Sequence, residues 1–287
     1  MMNIKNIQQR LDSGSKMFAS ASVVAMLSCA TLQLQAATIV DTELLLLVDV
    51  SGSVDSNEYN LMMQGYAEAF RSSDVLSAIQ AGSEGTIAVA LAFWSGSSDQ
   101  AMAVNWTAIN SSESANAFAD AISQTVRPYS GMTAIGSALE YGATTFGTET
   151  GGLTDNGFTS ISQIIDISGD GYDNNTPPDN VNRALNVKAA SEAALASGVD
   201  MINGLPIGNA GGDLVGYYET YVIGGEAGGV DAFAQPTDTF SDVQSSLEKK
   251  LVSEVGAGAS ASQAVPEPSS ILLVALGGIS LLWRRSK

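Results

Sequence analysis

The sequence predicts an α/β domain with a doubly wound, mostly parallel six-stranded sheet and helices on both faces. Short apolar runs alternate along the chain with segments of helical periodicity, which is the pattern of β–α–β units. The run Leu44–Val48 is apolar at every position, as expected for a parallel strand that is buried on both faces. Residues 38–256 are long enough to bury one core, so we expect a single domain there.

Each strand is predicted from an apolar or β-branched run bounded by turn residues. The third run is short and fits an antiparallel edge position. In chain order the predicted strands are Thr42–Val50, Gly85–Trp94, Ala101–Trp106, Ser160–Ser168, Asp200–Pro206 and Thr220–Ile223.

Each helix is predicted from an apolar stripe at helical spacing. The first begins at about Ser56, because Asp55 and Glu58 have the spacing of a capping box. Residues 257–264 are rich in Gly, Ala and Ser without periodicity, and they are predicted to be a flexible linker. The later predicted helices are Ser112–Ser123, Ala134–Thr145, Asn180–Ser197, Gly212–Tyr218 and Ser241–Val255.

Composition excludes several kinds of function. The chain has no histidine, and its single cysteine, Cys29, lies near the N-terminus. Ser–His–Asp catalysis, Cys–His catalysis and a zinc site of the usual His and Cys ligands are therefore excluded. The net charge is −18, with 30 acidic and 12 basic residues, so we expect neither nucleic acid nor an anionic lipid surface as a partner.

Residues 1–37 have the layout of a secretory signal peptide. An apolar stretch from Met17 to Leu32 follows a basic region and precedes the small residues Ala36 and Ala37, where cleavage is expected. A lipoprotein cleavage site at Leu27-Ser28-Cys29 is the alternative. Either interpretation predicts export of the body of the protein.

The loop Asp49-Val50-Ser51-Gly52-Ser53 directly follows the first predicted strand. In open α/β sheets ligands bind at the carboxyl ends of the strands, which is where this loop lies. Its carboxylate and two hydroxyls are the small oxygen ligands that a hard divalent cation such as Mg²⁺ prefers. Asp49, Ser51 and Ser53 are therefore candidate metal ligands.

This D-x-S-x-S pattern resembles the metal-ion-dependent adhesion site (MIDAS) of von Willebrand factor type A domains, also called integrin I-like domains, which have a Rossmann-like fold. That family adds a threonine from a later loop and an aspartate at the end of a further strand. The resemblance implies these two roles for Thr133 and Asp170. It also implies bound Mg²⁺, with Mn²⁺ or Ca²⁺ as alternatives.

One residue departs from the family pattern. Gly169 stands where Thr or Ser usually precedes the aspartate, so the preceding Asp166 is an alternative ligand to Asp170. We expect Asp166 instead to be a buried, hydrogen-bonded carboxylate of the strand. Other phrases, such as Ile202–Ile207, resemble a bacterial subfamily of unknown function.

Two further groups of residues lie near the predicted site. The glycine-rich segments Gly204–Gly212 and Gly224–Gly229 lack the strand–glycine–helix context of a dinucleotide site, and they are predicted to form the rim of the metal face. Residues 173–175, Asp-Asn-Asn, are expected to form an Asx turn, with a second cation site as the alternative.

Residues 265–287 resemble the PEP-CTERM sorting signal, with Pro266-Glu267-Pro268, an apolar helix from Ile271 to Trp283 and a basic tail. In that family a membrane protease of the exosortase type recognises the signal, in Gram-negative bacteria that make exopolysaccharide. The apolar helix would span roughly 20 Å, less than the hydrocarbon core of about 30 Å. We expect a transient inner-membrane anchor and release to the cell surface, matrix or medium. A permanent anchor is the alternative.

The function predicted from these features is adhesion or binding, without catalysis. Two carboxylates and three hydroxyls would leave the metal electrophilic and one coordination position open. An acidic group of a partner protein or of an acidic polysaccharide would fill that position. The alternative is a metal-dependent hydrolase, which needs a carboxylate base such as Asp166 or Asp173 because histidine is absent.

Overall fold

The computed structural model describes residues 36–152, 154–178 and 182–264. In chain order its strands are β1 (Thr38–Ile39), β2 (Thr42–Asp49), β3 (Ile87–Trp94), β4 (Gln100–Ile109), β5 (Phe158–Thr159), β6 (Gln163–Gly169), β7 (Met201–Pro206), β8 (Gly224–Ala227) and β9 (Val230–Asp231). Its α-helices are α1 (Ser56–Arg71), α2 (Ser73–Gln80), α3 (Ser112–Ser123), α4 (Ile135–Ala143), α5 (Arg183–Ser197), α6 (Leu214–Tyr221) and α7 (Val243–Ala264).

The main sheet has seven strands in the order β4-β3-β2-β6-β7-β8-β9. Strands β3, β2, β6 and β7 are parallel, while β4 pairs antiparallel at one edge. The predicted fold class is confirmed. The sheet has one strand more than the six predicted, because the glycine-rich segment after α6 forms the two short antiparallel strands β8 and β9.

Strand β2 lies at the centre of the domain, between β3 and β6. Its side chains alternate between two apolar layers, as a period of two requires. Leu44, Leu46 and Val48 pack with α1, α2, α3 and α7 on one face. Leu45 and Leu47 pack with α4, α5 and α6 on the other. This double burial explains the uninterrupted apolar run in the sequence.

The predicted last strand, Thr220–Ile223, was wrong. Tyr218 and Val222 are both buried and four residues apart, so they belong to the inner face of α6 and its C-terminal cap. The strand follows at β8, where Gly225 pairs with Met201 of β7. Helix α2 was not predicted, because its eight residues carry only two fully buried apolar side chains, Val75 and Ile79.

The predicted linker at residues 257–264 is helical, since α7 continues to Ala264. Its small residues allow close packing on the sheet. Ala257 and Ala259 are buried, and a Cβ at Gly258 would lie 1.7 Å from Thr42 Oγ1. The small residues of this stretch are therefore explained by the short distance between α7 and β2.

A buried ionic cluster joins α7 to the sheet. The Lys250 ammonium lies 2.7 Å from Asp166 Oδ1, and both side chains are fully buried. Lys250 also pairs with Glu254, which accepts a hydrogen bond from Asn203 Nδ2 at 2.9 Å. A buried ammonium and two carboxylates favour one register of α7 on the sheet, because any shift would leave a charge unpaired.

Two terminal predictions lie outside the described residues. They are the N-terminal part of the signal peptide, residues 1–35, and the C-terminal apolar helix with its basic tail, within residues 265–287. In the ranges that the structure describes, none of the helices is long and apolar enough to cross a membrane.

Two neighbouring carboxyl groups, Glu43 and Glu149, lie near the start of β2. Glu43 is fully buried and accepts hydrogen bonds from Asn156 Nδ2 at 2.5 Å and from the Ser160 hydroxyl at 3.0 Å. Burial, together with the neighbouring carboxyl group of Glu149, raises the pKa of Glu43 from 4.5 to about 8. The folded protein therefore holds a proton at neutral pH that the unfolded chain has lost.

This proton makes the free energy of unfolding fall as the pH rises from about 4.5 to 8. Glu43→Gln removes the titrating group, so the variant should not lose stability in this way as the pH rises. We expect its unfolding free energy at pH 8 to exceed that of the wild type by about 1–3 kcal/mol. Urea denaturation across this pH range measures the difference. Glu113→Gln, at an exposed position in α3, is the control. Parallel pH profiles for the wild type and Glu43→Gln would contradict the assignment.

Candidate functional site

The D-x-S-x-S loop lies at the carboxyl end of β2. Asp49 ends the strand and is fully buried, and its Oδ1 accepts a hydrogen bond from the Ser51 backbone N–H at 2.7 Å. Ser51 is also buried, whereas Ser53 is exposed. The loop therefore places one carboxylate and one hydroxyl below the surface and a second hydroxyl at the surface.

The fold brings the two distant candidates to this loop. The Ser53 hydroxyl donates to Asp170 Oδ1 at 2.7 Å across 117 residues of sequence. The Thr133 hydroxyl donates to Ser51 Oγ at 3.4 Å, and Ser51 Oγ lies 3.1 Å from Ser53 Oγ. The five predicted residues thus form one continuous cluster of oxygen atoms.

The unpaired oxygen of this cluster is Asp49 Oδ2, a buried atom without a hydrogen-bond partner among the described residues. Burial, together with the negative charge of Asp170, raises the pKa of Asp49 to about 7. A buried carboxylate is unfavourable unless a proton, a hydrogen bond or a cation balances its charge. These oxygen donors and the unpaired atom fit a hard divalent cation.

Gly169, the departure from the family pattern, is explained by close packing at the end of β6. A Cβ at this position would lie 3.0 Å from Asp49 Oδ2, 2.8 Å from the Tyr218 hydroxyl and 3.2 Å from the Trp94 ring. A larger residue would push against the site carboxylate. Glycine therefore lets β6 pass close to Asp49 and places Asp170 immediately beyond it.

The alternative ligand Asp166 lies in the interior of the protein. It is four residues before Asp170, fully buried and paired with Lys250. It therefore belongs to the ionic cluster under α7, and Asp170 is the carboxylate in contact with the loop.

Arg127 is a residue of this site that the sequence did not reveal. Its guanidinium donates to the backbone carbonyls of Val50 (Nη2, 3.0 Å), Ser51 (Nη2, 2.5 Å) and Tyr129 (Nε, 2.9 Å). It also lowers the pKa of Asp170, although burial raises that pKa more strongly. Arginine in a loop carries no periodic or motif signal, so only the contacts identify this clamp.

Residues 173–175 form the expected turn. The Asp173 carboxylate is buried and accepts from the backbone N–H groups of Asn175 (3.2 Å) and Thr176 (3.0 Å). Asn174 Oδ1 accepts from the Thr133 N–H at 2.9 Å, which holds the threonine loop in place. Across the described ranges, no group of three or more His, Cys, Asp or Glu side chains has the arrangement of a metal site.

The two glycine-rich segments have different positions. Gly208, with Asn209 and Ala210, lines a groove beside Asp170, as predicted for the rim of the metal face. The segment Gly224–Gly229 forms β8 and its turn, and Gly225 pairs with Met201 at the amino end of β7. The prediction that this second segment lies at the rim was wrong, because its pairing with the start of β7 places it at the amino ends of the parallel strands, away from the oxygen cluster.

Solved structures share this architecture. Proximal thread matrix protein 1 from the mussel byssus superposes with a TM-score of 0.52 at 18% identity, over 78% of this chain and 49% of that one. A second structure of that protein has a zinc-occupied MIDAS motif. The pilus adhesin SpaC from Lactobacillus rhamnosus GG gives a TM-score of 0.52 at 14% identity, over 77% of this chain and 30% of that one.

A von Willebrand factor type A protein from Catenulispora acidiphila gives a TM-score of 0.50 at 12% identity, over 76% of this chain and 43% of that one. The chain thus spans about half or less of the length of these proteins. At such identities the likeness shows the fold, which is that of a von Willebrand factor type A domain.

Residues 39–259 match the family described as "Protein of unknown function (DUF1194)", and the chain belongs to that family. Residues 264–286 match the PEP-CTERM protein-sorting motif, which implies export and processing by an exosortase. A search of curated proteins returned no significant match to the sequence.

The two aspartates of β6 and its following turn give opposite expectations. Asp170→Asn removes a carboxylate from the oxygen cluster and should weaken Mg²⁺ or Mn²⁺ binding by about tenfold or more. Asp166→Asn removes one of the two carboxylates paired with Lys250, whose ammonium keeps Glu254 as a partner, and it should lower the unfolding free energy by about 1–3 kcal/mol with little change in metal affinity. Titration calorimetry and urea denaturation of both variants test this, and the reverse ranking would make Asp166 the ligand.

The pKa of Asp49 gives a pH prediction. A proton competes with the cation for Asp49, so Mg²⁺ affinity should rise with pH through about 7 and binding below pH 7 should release protons. Without metal the folded protein binds this proton more tightly than the unfolded chain, so stability from this group falls as the pH rises. Calorimetry in two buffers of different ionisation enthalpy measures proton release, and its absence at pH 6 would count against Asp49 as a ligand.

Proposed function

We propose that this protein is an exported adhesion module that holds a partner through a divalent cation, Mg²⁺ in the first instance. The observation that carries this proposal is the buried, unpaired Asp49 Oδ2 at the base of the oxygen cluster. A cation would balance the charge of this carboxylate, and the D-x-S-x-S pattern resembles that of a site whose metal bridges two molecules. The zinc-occupied MIDAS motif of the mussel protein supports a divalent cation here.

The exposure of the cluster supports a bridging metal rather than a structural one. Asp49 and Ser51 are fully buried, whereas Ser53 is exposed and Asp170 is half-buried. A cation on these oxygens would have protein on one side and solvent on the other. A carboxylate of the partner would then complete the metal coordination from the solvent side.

The same geometry supports binding over hydrolysis. A hydrolase using this cation would need a free carboxylate base near it. The two carboxylates that the sequence suggested as a base are occupied elsewhere: Asp166 is ion-paired with Lys250, and Asp173 accepts three hydrogen bonds within its own turn. We therefore propose a protein without catalytic activity.

The sorting motif supports a location outside the inner membrane, on the cell surface, in the matrix or in the medium. We propose that the C-terminal segment anchors the protein transiently before exosortase processing. The partner is then an extracellular molecule with an acidic group, a surface protein or an acidic polysaccharide.

Partner capture should depend on the cation and on the hydroxyls of the site. The full chain, immobilised in Mg²⁺, is incubated with a surface fraction of the source organism, and the bound material is quantified with and without EDTA. We expect EDTA to release the partner and restored Mg²⁺ to recapture it. Ser53→Ala or Thr133→Ala should lower capture by about tenfold, because each removes an oxygen next to the metal.

Ser83→Ala, at an exposed position before β3, is the matched control and should capture as the wild type does. Circular dichroism confirms that each variant is folded. Capture that survives both EDTA and the two substitutions would contradict metal-bridged adhesion. Mg²⁺-dependent turnover of a small substrate without a stable complex would favour the hydrolase.

A further inference from the structure

A groove of about 420 Å³ adjoins the oxygen cluster at Asp170. Besides Asp170, its lining comes from the first turns of α1, the loop after β7 and the loop that precedes α7. Because Asp170 also accepts a hydrogen bond from Ser53, the groove is continuous with the oxygen cluster. A partner held on the metal would extend into this space.

The charges in the groove are of one sign. Besides Asp170, its lining includes the half-buried Glu58 and the exposed Asp238. Glu58 Oε2 accepts a hydrogen bond from the Asp55 backbone N–H, and neither Glu58 nor Asp238 forms an ion pair within the described residues. Within the described part of the chain, neither lysine nor arginine lines the groove.

The charge balance restricts the partner. A divalent cation would be neutralised by Asp49 and Asp170, which leaves two uncompensated negative charges in the groove. One carboxylate of the partner is attracted to the metal, but further carboxylates are repelled by Glu58 and Asp238. A polyanion such as an acidic polysaccharide therefore fits this surface poorly.

We propose that the partner is a protein segment in which the acidic residue on the metal is adjacent to a lysine or arginine that lies in this groove. The inference rests on the proposed metal-bridged adhesion. The ammonium or guanidinium would face Glu58 and Asp238, and the aliphatic part of the side chain would pack on Leu61, Ile207 and Phe240. Phe240 also offers an aromatic face to the cation.

The test uses fluorescein-labelled hexapeptide mixtures that share a fixed central Asp. The flanking residue is fixed as Lys, Arg, Gln or Glu, and oligogalacturonate is a fifth probe. Fluorescence anisotropy with the purified full chain in Mg²⁺ gives the affinities. We expect the Lys and Arg mixtures to bind about threefold to tenfold more tightly than the Gln mixture, and the Glu mixture to bind most weakly.

Substitutions in the groove should remove this preference. Glu58→Gln with Asp238→Asn should lower the affinity for the Lys and Arg mixtures about threefold to tenfold and leave the Gln mixture unchanged. Glu192→Gln with Asp231→Asn changes the net charge equally at exposed positions outside the groove and is the control. Asp238→Asn alone leaves the cap of α1 intact and guards against a folding defect.

The outcomes separate this inference from the function on which it rests. Mg²⁺-dependent binding of oligogalacturonate or of the Gln and Glu mixtures, without preference for Lys or Arg, would overturn the inference and leave metal-bridged adhesion standing. A preference for Lys and Arg that the control variant loses as well would also overturn it, as a general charge effect. Binding that EDTA does not release, or no binding of any probe, would refute the proposed function.

Discussion

The constraint on which the site depends is the burial of the Asp49 carboxylate at the end of the central strand. Its position follows from β2, whose apolar side chains fill both layers of the core up to this residue. One oxygen receives a backbone hydrogen bond and the other receives none in the described structure. Since an unpaired buried charge is unfavourable, the fold here retains a carboxylate that a proton or a cation must balance.

The loops around Asp49 are held by contacts that do not use this unpaired oxygen. Arg127 donates to the carbonyls of Val50 and Ser51, and the Gly52 N–H donates to the Gly131 carbonyl at 2.8 Å. Asn174 fixes the Thr133 loop through its backbone. The positions of these loops are therefore held by backbone and side-chain contacts that are independent of Asp49 Oδ2.

The charged side chains have different roles in the interior of the domain and at the carboxyl ends of its strands. Under α7, Asp166 is paired with a buried lysine and stabilises one packing of helix on sheet. At the carboxyl ends of the strands, neither Asp49 nor Asp170 forms an ion pair with a lysine among the described residues, and the adjoining groove adds Glu58 and Asp238. If the proposed cation binds beside it, this acidic groove favours a partner that carries both signs of charge.

The fold class, the strand that leads to the site and the candidate loop could all be predicted from the sequence, because burial on both faces and a ligand-bearing turn leave local patterns. The capping box at Asp55 was equally local and is present. The metal roles of the five residues stay predictions. Four features became visible only in the folded protein: Asp166 pairs with Lys250, Arg127 holds the loop, Gly169 makes room for Asp49, and α7 extends to Ala264. Each of these depends on contacts between residues far apart in the chain, and such contacts leave no periodicity in the sequence.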